Sequence, residues 1–421
     1  MMFCENRSDK LSEIHSDIRG PLYTRAMQMQ ARGTQVLKLN SGNPATYGFT
    51  MPQSVREALL QSVDNAVGYC DLRGMPQARQ AILDYHRKKG IAGIGMDDIY
   101  LGNGVSELAC ICLEALLSFG HEVLVPSPGY SLWSNGARLA GAKPVFYRCD
   151  EHSDWYPDAG DIRRKITPKT RAIVIINPNN PTGALYPRQV LESLIQIARE
   201  HHLVIFSDEI YDRLVLDGKP HISTASLAED VPIVTLNGLS KSHCICGFRC
   251  GWMVLSGPRD DSRGFREGIF ELAAMRLCSN ALTQLVVPAA LEDSQSTNAM
   301  LVPGGRLYEQ RRATVQELRK IPGIHFVENS AAFYLFPWMD PTQFRIPQDN
   351  TFARELLEEK HILLVPGNGF DWHTPGFFRL VMLPQAQQLR QAVQALGDLL
   401  DRYRITPTPV PVSQLPRAAG E

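Results

Sequence analysis

The chain has 421 residues, of which 44% are hydrophobic and 21% charged, so it can bury a large core and is too long for one ordinary domain. Its 43 basic and 44 acidic side chains leave a formal net charge of −1, which argues against a nucleic-acid-binding protein. Nine cysteines, an odd number in a long chain, argue against a disulfide scaffold and favour reduced thiols in the cytoplasm.

Targeting and membrane segments are not evident in the sequence. The first twenty residues lack the apolar core of a signal peptide. The most apolar run, LACICLEALL, is interrupted by Glu114 and falls short of the roughly 20 residues that span a bilayer. We therefore expect a cytoplasmic protein without a membrane partner.

Short apolar runs rich in β-branched residues alternate with helix-like stretches over the first 300 residues. The runs are EVLVP, KPVFY, RAIVII, LVIFS, PIVTL and WMVLS. Helical spacing is shown by Val105, Leu108, Cys112, Leu116 and Phe119, and again by apolar residues between 191 and 198. Continuous apolar strands that alternate with helices predict an α/β fold with a large, mostly parallel sheet.

The pattern changes after about residue 300. GGRLYEQRRATVQELRK is typical of a charged amphipathic helix, and FYLFPW, ILLVP and FFRLVML are typical of short strands. These features predict a second, smaller α+β domain. The predicted division is an N-terminal arm at 1–19, a small domain formed by 20–49 with 301–405, a large domain at 50–300 and a Pro-rich disordered tail at 406–421.

Polar residues follow three of the predicted strands directly. RAIVII leads into NPNNPTG, LVIFS leads into Asp208, and PIVTL leads to Lys241. In open α/β sheets, ligands bind outside the carboxyl ends of the strands. We therefore expect these residues to form one site.

Asp208 and Lys241 carry opposite charges at predicted strand ends. A buried Asp208 needs a cation or a set of donors, and a helix cap or a structural ion pair would also satisfy it. Lys241 alone is best explained as a solvated surface residue, whereas in a dry pocket it could attack carbonyl groups.

Arg249 and the Gly102–Gly104 segment are candidates for phosphate binding. An arginine fork suits a phosphate, and so do the N–H groups at the helix start after Gly104, although that segment alone is best read as a turn. An amine, a carboxylate and a phosphate site together favour pyridoxal 5′-phosphate, which needs all three.

Seven segments in order extend this interpretation over roughly residues 15–400. They are SGNP, GYCDLRG, NGVSE, NPNNPTG, SDEIYD, NGLSK and GFRCGW. Their combination resembles the class I and II pyridoxal-phosphate-dependent aminotransferases of fold type I. Within that family, DIRGP, YCDLRG, CDEHSDWYPD and PGGRLYEQR are most similar to the bacterial glutamate–pyruvate (alanine) aminotransferases.

The resemblance implies roles around the cofactor ring. Lys241 would form the Schiff base and move the proton, and Asp208 would pair with the ring nitrogen. Tyr211 and Asn180 would bind the phenolic oxygen, and Tyr130 would stack on the ring. Tyr130 could equally be a core aromatic residue.

The resemblance also implies which residues hold the phosphate. They are Val105, Ser106, Ser240 and Arg249, with Tyr69 reaching it from the other subunit of a homodimer with shared active sites. Taken alone, Tyr69 would be a core or interface aromatic residue.

For the substrate, the resemblance implies that Arg379 grips the α-carboxylate, with Asn180 and the backbone of Gly42 beside it. Arg379 could instead serve a structural ion pair, but its apolar neighbours predict that it is buried and needs an anion. Arg19 is a candidate second substrate contact, or else a solvated arm residue.

The implied activity is amino transfer between a small L-amino acid, alanine favoured, and 2-oxoglutarate or pyruvate. The alternatives are a transaminase of another amino acid in a biosynthetic pathway, or a lyase that uses the same cofactor. A non-catalytic regulator would need an N-terminal DNA-binding domain, for which we expect no room.

The chain departs from these relatives after Lys241, where it reads Ser-His-Cys-Ile-Cys, and at AAFYLFP, where relatives usually have Gly before Ala. The spacing of Cys244, Cys246 and Cys250 matches no common zinc pattern, so we expect small buried thiols and no metal.

Overall fold

The computed structural model describes residues 8–14 and 16–405. The predicted Pro-rich tail at 406–421, and residues 1–7 and 15 of the predicted arm, lie outside the described residues.

Strands and helices are numbered in chain order. The strands are β1 (Leu37–Lys38), β2 (Ile99–Gly102), β3 (Glu122–Ser127), β4 (Lys143–Asp150), β5 (Tyr156–Pro157), β6 (Thr170–Ile176), β7 (Val204–Asp208), β8 (Ile233–Gly238), β9 (Gly251–Ser256), β10 (Ile324–His325), β11 (Tyr334–Leu335), β12 (Trp338–Met339), β13 (Ile362–Leu363), β14 (Val365–Pro366) and β15 (Phe378–Val381). The helices are α1 (Pro21–Ala31), α2 (Gln53–Ser62), α3 (Pro76–Lys88), α4 (Val105–Leu116), α5 (Leu132–Leu139), α6 (Ala159–Lys165), α7 (Arg188–Glu200), α8 (Arg263–Met275), α9 (Ala281–Gln284), α10 (Val287–Glu292), α11 (Gln295–Leu301), α12 (Arg306–Leu318), α13 (Asp349–Lys360) and α14 (Ala386–Leu400).

The large sheet has eight strands in the order β2-β9-β8-β7-β6-β3-β4-β5. Neighbouring strands from β8 through β4 are parallel, whereas the pairs β2–β9, β8–β9 and β4–β5 are antiparallel. The predicted α/β class with a large, mostly parallel sheet is therefore confirmed.

Both faces of this sheet are buried, which explains the uninterrupted apolar runs. On β6, Ile173 and Ile175 pack into one apolar cluster, whereas Val174 and Ile176 pack into another. Successive side chains of a strand point to opposite faces, so each face has its own core. A strand covered on both sides must be apolar at every position.

One predicted helix is shorter than its pattern suggested. The apolar spacing extended to Phe119, but α4 ends at Leu116 and the side chain of Phe119 is 96% exposed. Leu117 is extended, and Gly120 has φ +82°, a left-handed conformation that favours glycine. The turn that leads to β3 therefore removes Phe119 from the helix.

A third apolar cluster lies in the C-terminal part of the chain. It contains Leu39, Val315, Phe378 and Leu396, and so joins an early segment to α12, β15 and α14. Strand β15 is the centre of a small antiparallel sheet in the order β11-β15-β14. This sheet holds Arg379 in a defined position.

No helix within residues 8–14 and 16–405 is long and apolar enough to cross a membrane.

Candidate active site

One cavity of about 640 Å³ opens where the carboxyl ends of β6, β7 and β8 meet the C-terminal part of the chain. All of the predicted site residues except Tyr69 line it. They are Arg19, Gly42, Val105, Ser106, Tyr130, Asn180, Asp208, Tyr211, Ser240, Lys241, Arg249 and Arg379. Since β6, β7 and β8 run parallel, the segments that follow them lie side by side.

Lys241 lies three residues after the end of β8 and is half-buried. Its Nζ donates a hydrogen bond to the Gly42 carbonyl at 2.8 Å. Burial, together with the charges of Arg379 and Arg249, lowers the pKa of Lys241 to about 8. A larger fraction of this amine is therefore uncharged and nucleophilic near neutral pH than for an ordinary lysine.

Asp208 is the last residue of β7 and is 4% exposed. Its carboxylate accepts hydrogen bonds from Trp133 Nε1 and from the Ile210 backbone N–H, each at 3.3 Å. Burial raises the pKa of Asp208 to about 6, against the effect of these donors. Two donors leave acceptor capacity on the carboxylate for a third group in the cavity.

The start of α4 and Arg249 form the opposite side of the cavity. Arg249 has a left-handed backbone, with φ 55°, and its Nη1 donates to the Cys246 carbonyl at 3.0 Å. Gly104, which precedes α4, has φ +86°, and a Cβ there would collide with the Arg249 guanidinium. Free N–H groups of the first helical turn and a guanidinium together suit an anion.

Gly251 lets β9 approach the start of α4, so replacing it tests this packing. In Gly251→Ala, the added Cβ would lie 2.7 Å from the Val105 backbone N and 2.9 Å from the Gly104 carbonyl carbon. We expect the free energy of unfolding to fall by about 1–3 kcal/mol in urea titrations, because backbone must move. Gly264→Ala on α8, where a Cβ meets nothing within 4 Å, is the matched control and should be no less stable than wild type, since alanine favours the helix.

Arg379 lies in β15 and is 1% exposed. Nη1 donates to Asn180 Oδ1 at 2.9 Å, and Nη2 donates to the Asn40 carbonyl. The guanidinium lies 4.6 Å from the centres of both the Tyr334 and the Phe370 rings. Neutral acceptors and aromatic faces orient this arginine without neutralising its charge.

The charged groups of the cavity are not paired with one another. Within residues 8–14 and 16–405, no ion pair within 4.0 Å is formed by Asp208, Lys241, Arg249 or Arg379. With Arg19, which also lines the cavity, four cationic groups and one carboxylate therefore face the same space. This excess of positive charge next to buried surface favours an anionic ligand that also carries a positive group.

Tyr334 was not among the predicted site residues, although it lines the cavity. Its hydroxyl lies 2.8 Å from the hydroxyl of Tyr211, and a Cβ on Gly42 would collide with it. It therefore connects Tyr211 with Arg379, whose guanidinium faces its ring. The only signal in the sequence was its place in AAFYLFP.

The cysteines after Lys241 separate into two groups. Cys244 and Cys250 are buried, 7% and 2% exposed, as expected. Cys246, however, is half-buried and lines the cavity, and its Sγ donates to Asn43 Oδ1 at 3.1 Å. The prediction of a buried thiol is wrong at Cys246, because the short helical turn at 246–248 turns this residue toward the cavity.

Tyr69 lies away from the cavity and is 85% exposed. Arg19 is exposed as well, although it lines the cavity. Tyr130 is half-buried against the same space. The residues at this site therefore differ widely in exposure.

Comparison with known proteins gives a consistent result. The model of the family "Aminotransferase class I and II" matches residues 34–396. A glutamate-pyruvate aminotransferase of Haemophilus influenzae is 46% identical, covering 94% of this chain and 98% of that protein. An alanine aminotransferase of Mycobacterium tuberculosis is 43% identical, covering 94% and 93%.

Solved structures agree with this match. An aminotransferase from Escherichia coli superposes with a TM-score of 0.93 at 44% identity, covering 96% of this chain and all of that one. An alanine aminotransferase from Pyrococcus furiosus gives a TM-score of 0.89 at 35% identity. The chain therefore belongs to the class I and II aminotransferase family and has its fold type I architecture.

Proposed function

We propose that the chain binds pyridoxal 5′-phosphate at this cavity and transfers an amino group between a small L-amino acid, alanine favoured, and 2-oxoglutarate or pyruvate. The observation that carries the proposal is that Asp208, Lys241, Arg249 and Arg379 line one cavity and form no ion pair within the part of the chain that the structure describes. The names of the relatives, glutamate-pyruvate and alanine aminotransferases, support this choice of substrates.

The donor set fits the cofactor. Lys241 offers an amine to its aldehyde, and the buried Asp208 carboxylate offers an anion to its ring nitrogen. Tyr211 and Asn180 would bind the phenolic oxygen, and Tyr130 would lie against the ring. When bound, pyridoxal phosphate supplies a carbonyl group that links to amines and a ring that accepts electrons.

The phosphate end fits equally well. Val105 and Ser106 open α4, a helix of 12 residues, and Ser240 and Arg249 line the cavity beside them. The helix N-terminus and the guanidinium would hold the dianion, and Gly104 keeps the space between them free of a side chain.

Arg379 would bind the substrate α-carboxylate through its planar fork, which Asn180 orients. Gly42 lies between Lys241 and Tyr334, whose hydroxyl occupies the place of a Gly42 side chain, and the Gly42 backbone would meet the substrate carboxylate. Arg19 is exposed at the rim and would contact the distal carboxylate of a dicarboxylic substrate. The wall at Gly42 and Tyr334 suits a short side chain.

Lys241 would act as the base of the reaction. With its pKa lowered to about 8, Nζ can hold and release a proton near neutral pH. Its neighbour in the cavity is the Gly42 carbonyl, which orients Nζ without neutralising it. Nζ would therefore take the proton from the substrate Cα.

The exposed apolar side chains around Tyr69 support a homodimer with shared sites. Val67, Met275 and Leu277 are 89%, 78% and 56% exposed, and Cys70, next to Tyr69, interacts with Cys278 of the segment that contains Leu277. A monomer rarely exposes such a patch. We also propose the domain division expected above, in which the small domain at 20–49 with 301–405 supplies Arg379, and a cytoplasmic location.

A half-reaction tests the proposed activity. Purified protein mixed with L-alanine, without any 2-oxo acid, should release one equivalent of pyruvate per site and lose the visible absorbance of bound pyridoxal phosphate. Adding 2-oxoglutarate should restore that absorbance and form glutamate. Release of ammonia or carbon dioxide, without the change to the amino form of the cofactor, would contradict amino transfer.

A further inference from the structure

A buried ionic cluster lies behind Asp208, outside the cavity. Lys89 Nζ lies 2.9 Å from Glu209 Oε2 and 2.9 Å from Asp212 Oδ2. The side chains of Glu209 and Asp212 are 0% and 2% exposed, and that of Lys89 is 16% exposed. None of the three lines the cavity, and the reaction described above does not use them.

We propose that Lys89 is a positioning residue for the reaction, which keeps Asp208 ionised and holds the 208–212 turn by forming ion pairs with Glu209 and Asp212. The inference rests on the proposed role of Asp208 as the partner of the ring nitrogen.

The cluster is joined to the site through one turn of the backbone. Glu209 and Asp212 each follow a predicted site residue, Asp208 and Tyr211, and the Asp212 N–H donates to the Glu209 carbonyl at 3.0 Å. The lysine bridges the two carboxylates at the ends of this turn. Fixing Glu209 and Asp212 therefore also fixes the backbone of Asp208 and Tyr211.

Glu209 is held in place on its other side. Its Oε1 accepts from Ser223 Oγ at 2.8 Å, from the Thr224 N–H at 3.0 Å and from Ser207 Oγ at 3.1 Å. A carboxylate with this many donors stays ionised. Its negative charge is therefore a permanent feature next to Asp208.

The charge balance explains why a lysine is needed. Two carboxylates and one ammonium leave the cluster with a single negative charge, and without Lys89 it would carry two. Buried like charges favour protonation of a neighbouring acid. The negative charge of Glu209 already raises the pKa of Asp208, although burial contributes more.

Lys89 itself remains charged. Burial alone would lower its pKa, but the charges of Asp212 and Glu209 raise it well above its ordinary value. The ion pairs with Lys89 lower the pKa of the Glu209 and Asp212 carboxyl groups, although burial alone would raise it.

Among the other groups that face the cluster, Arg213 is charged, whereas the phenol of Tyr85 and two histidines are neutral. Tyr85 on α3 donates to Asp212 at 2.5 Å, and Arg213 stacks over its ring at 5.0 Å while donating to carbonyls at the end of α10. Burial lowers the pKa of His86 to about 3 and also lowers that of His221, so both are neutral near pH 7.

Asp208 also faces groups of its own. Besides Glu209, they are Lys241, the phenols of Tyr130 and Tyr211, and the Trp133 indole. The cluster variants change the charge of none of these groups, so a difference in charge between variants comes from the cluster itself.

Variants that change the charge of the cluster in opposite directions should move the titration midpoint of Asp208 in opposite directions. The full-length holoenzyme is labelled with [4-13C]aspartate, the Asp208 carboxyl signal is assigned by its loss in Asp208→Asn, and its shift is followed with pH. In Lys89→Met, the midpoint should rise by about one pH unit, and in Glu209→Gln it should fall by about as much. The double variant should return toward wild type, and Lys89→Arg should match wild type.

Controls separate electrostatics from folding. Asp84→Asn removes an exposed charge from the same helix, α3, and should leave the midpoint unchanged. If Lys89→Met does not fold, Glu209→Gln alone still decides, since it keeps the Lys89–Asp212 pair. Midpoints that move in the same direction in both variants, or a Glu209→Gln midpoint equal to wild type, would overturn the proposal.

The activity of the same variants distinguishes the electrostatic role of Lys89 from the proposed role of Asp208 as the partner of the ring nitrogen. The acid limb of kcat/KM should follow the Asp208 midpoint from variant to variant. If the midpoint moves as expected but the acid limb stays, the electrostatic role of Lys89 stands and the proposed role of Asp208 fails.

Discussion

Replacing Lys241 by alanine is expected to lower kcat/KM for amino transfer by roughly four orders of magnitude or more. Among the residues that the structure describes, Lys241 is the lysine that lines the cavity; its pKa is lowered to about 8 and its Nζ donates to the Gly42 carbonyl. Both covalent attachment of the cofactor and the proton transfer would be lost together. The measurements are the visible spectrum of the purified protein and the rate of pyruvate formation from alanine.

Two comparisons make the result specific to this lysine. Lys169→Ala removes an exposed lysine at the other end of the sheet and should retain the spectrum and the rate. Thermal unfolding of cofactor-free Lys241→Ala should be similar to that of cofactor-free wild type, since its amine has one hydrogen bond to lose. A Lys241→Ala protein with wild-type absorbance would show that another amine holds the cofactor.

The second large effect is expected at Arg379. In Arg379→Lys, kcat/KM for alanine should fall roughly 10²-fold, and in Arg379→Met roughly 10⁴-fold, because each charge-assisted hydrogen bond contributes about 1.5–3 kcal/mol. The lysine keeps the charge but cannot form the planar fork that Asn180 orients. Steady-state kinetics with alanine and 2-oxoglutarate would measure both values.

A substrate without a carboxylate isolates the contact. Ethylamine differs from alanine by the α-carboxylate alone, so its much slower half-reaction should be nearly unaffected by Arg379→Met. Arg188→Lys, which changes a surface arginine with a side chain 60% exposed, is the control and should leave alanine kinetics unchanged. Equal losses with ethylamine and alanine would mean that Arg379 supports the site without binding the carboxylate.

Much of the fold could be predicted, because burial on both faces leaves a clear pattern in the strands. That Asp208 and Lys241 share one site could be predicted for the same reason, since the strands before them, β7 and β8, are adjacent and parallel. Arg379 and Gly42 are different: they come from segments far apart in the chain, and only the family resemblance placed them at the site. Spacing alone carries no information about such contacts.

Several contacts could not be predicted at all. The hydrogen bond from Trp133 to Asp208 depends on how α5 packs on the sheet, and the contact of Tyr334 with Tyr211 depends on where the small sheet lies. Lys89 follows α3 in a run of basic residues, a pattern that is typical of solvated side chains. Only the three-dimensional structure shows that it bridges two buried carboxylates.

Reduction of the bond between the cofactor and its lysine shows directly which lysine carries the cofactor. The holoenzyme is reduced with borohydride, digested and mapped by mass spectrometry. We expect a pyridoxyl group on the peptide that contains Lys241, in a yield that matches the loss of visible absorbance. A stoichiometric pyridoxyl group on any other lysine, with Lys241 unmodified, would contradict it.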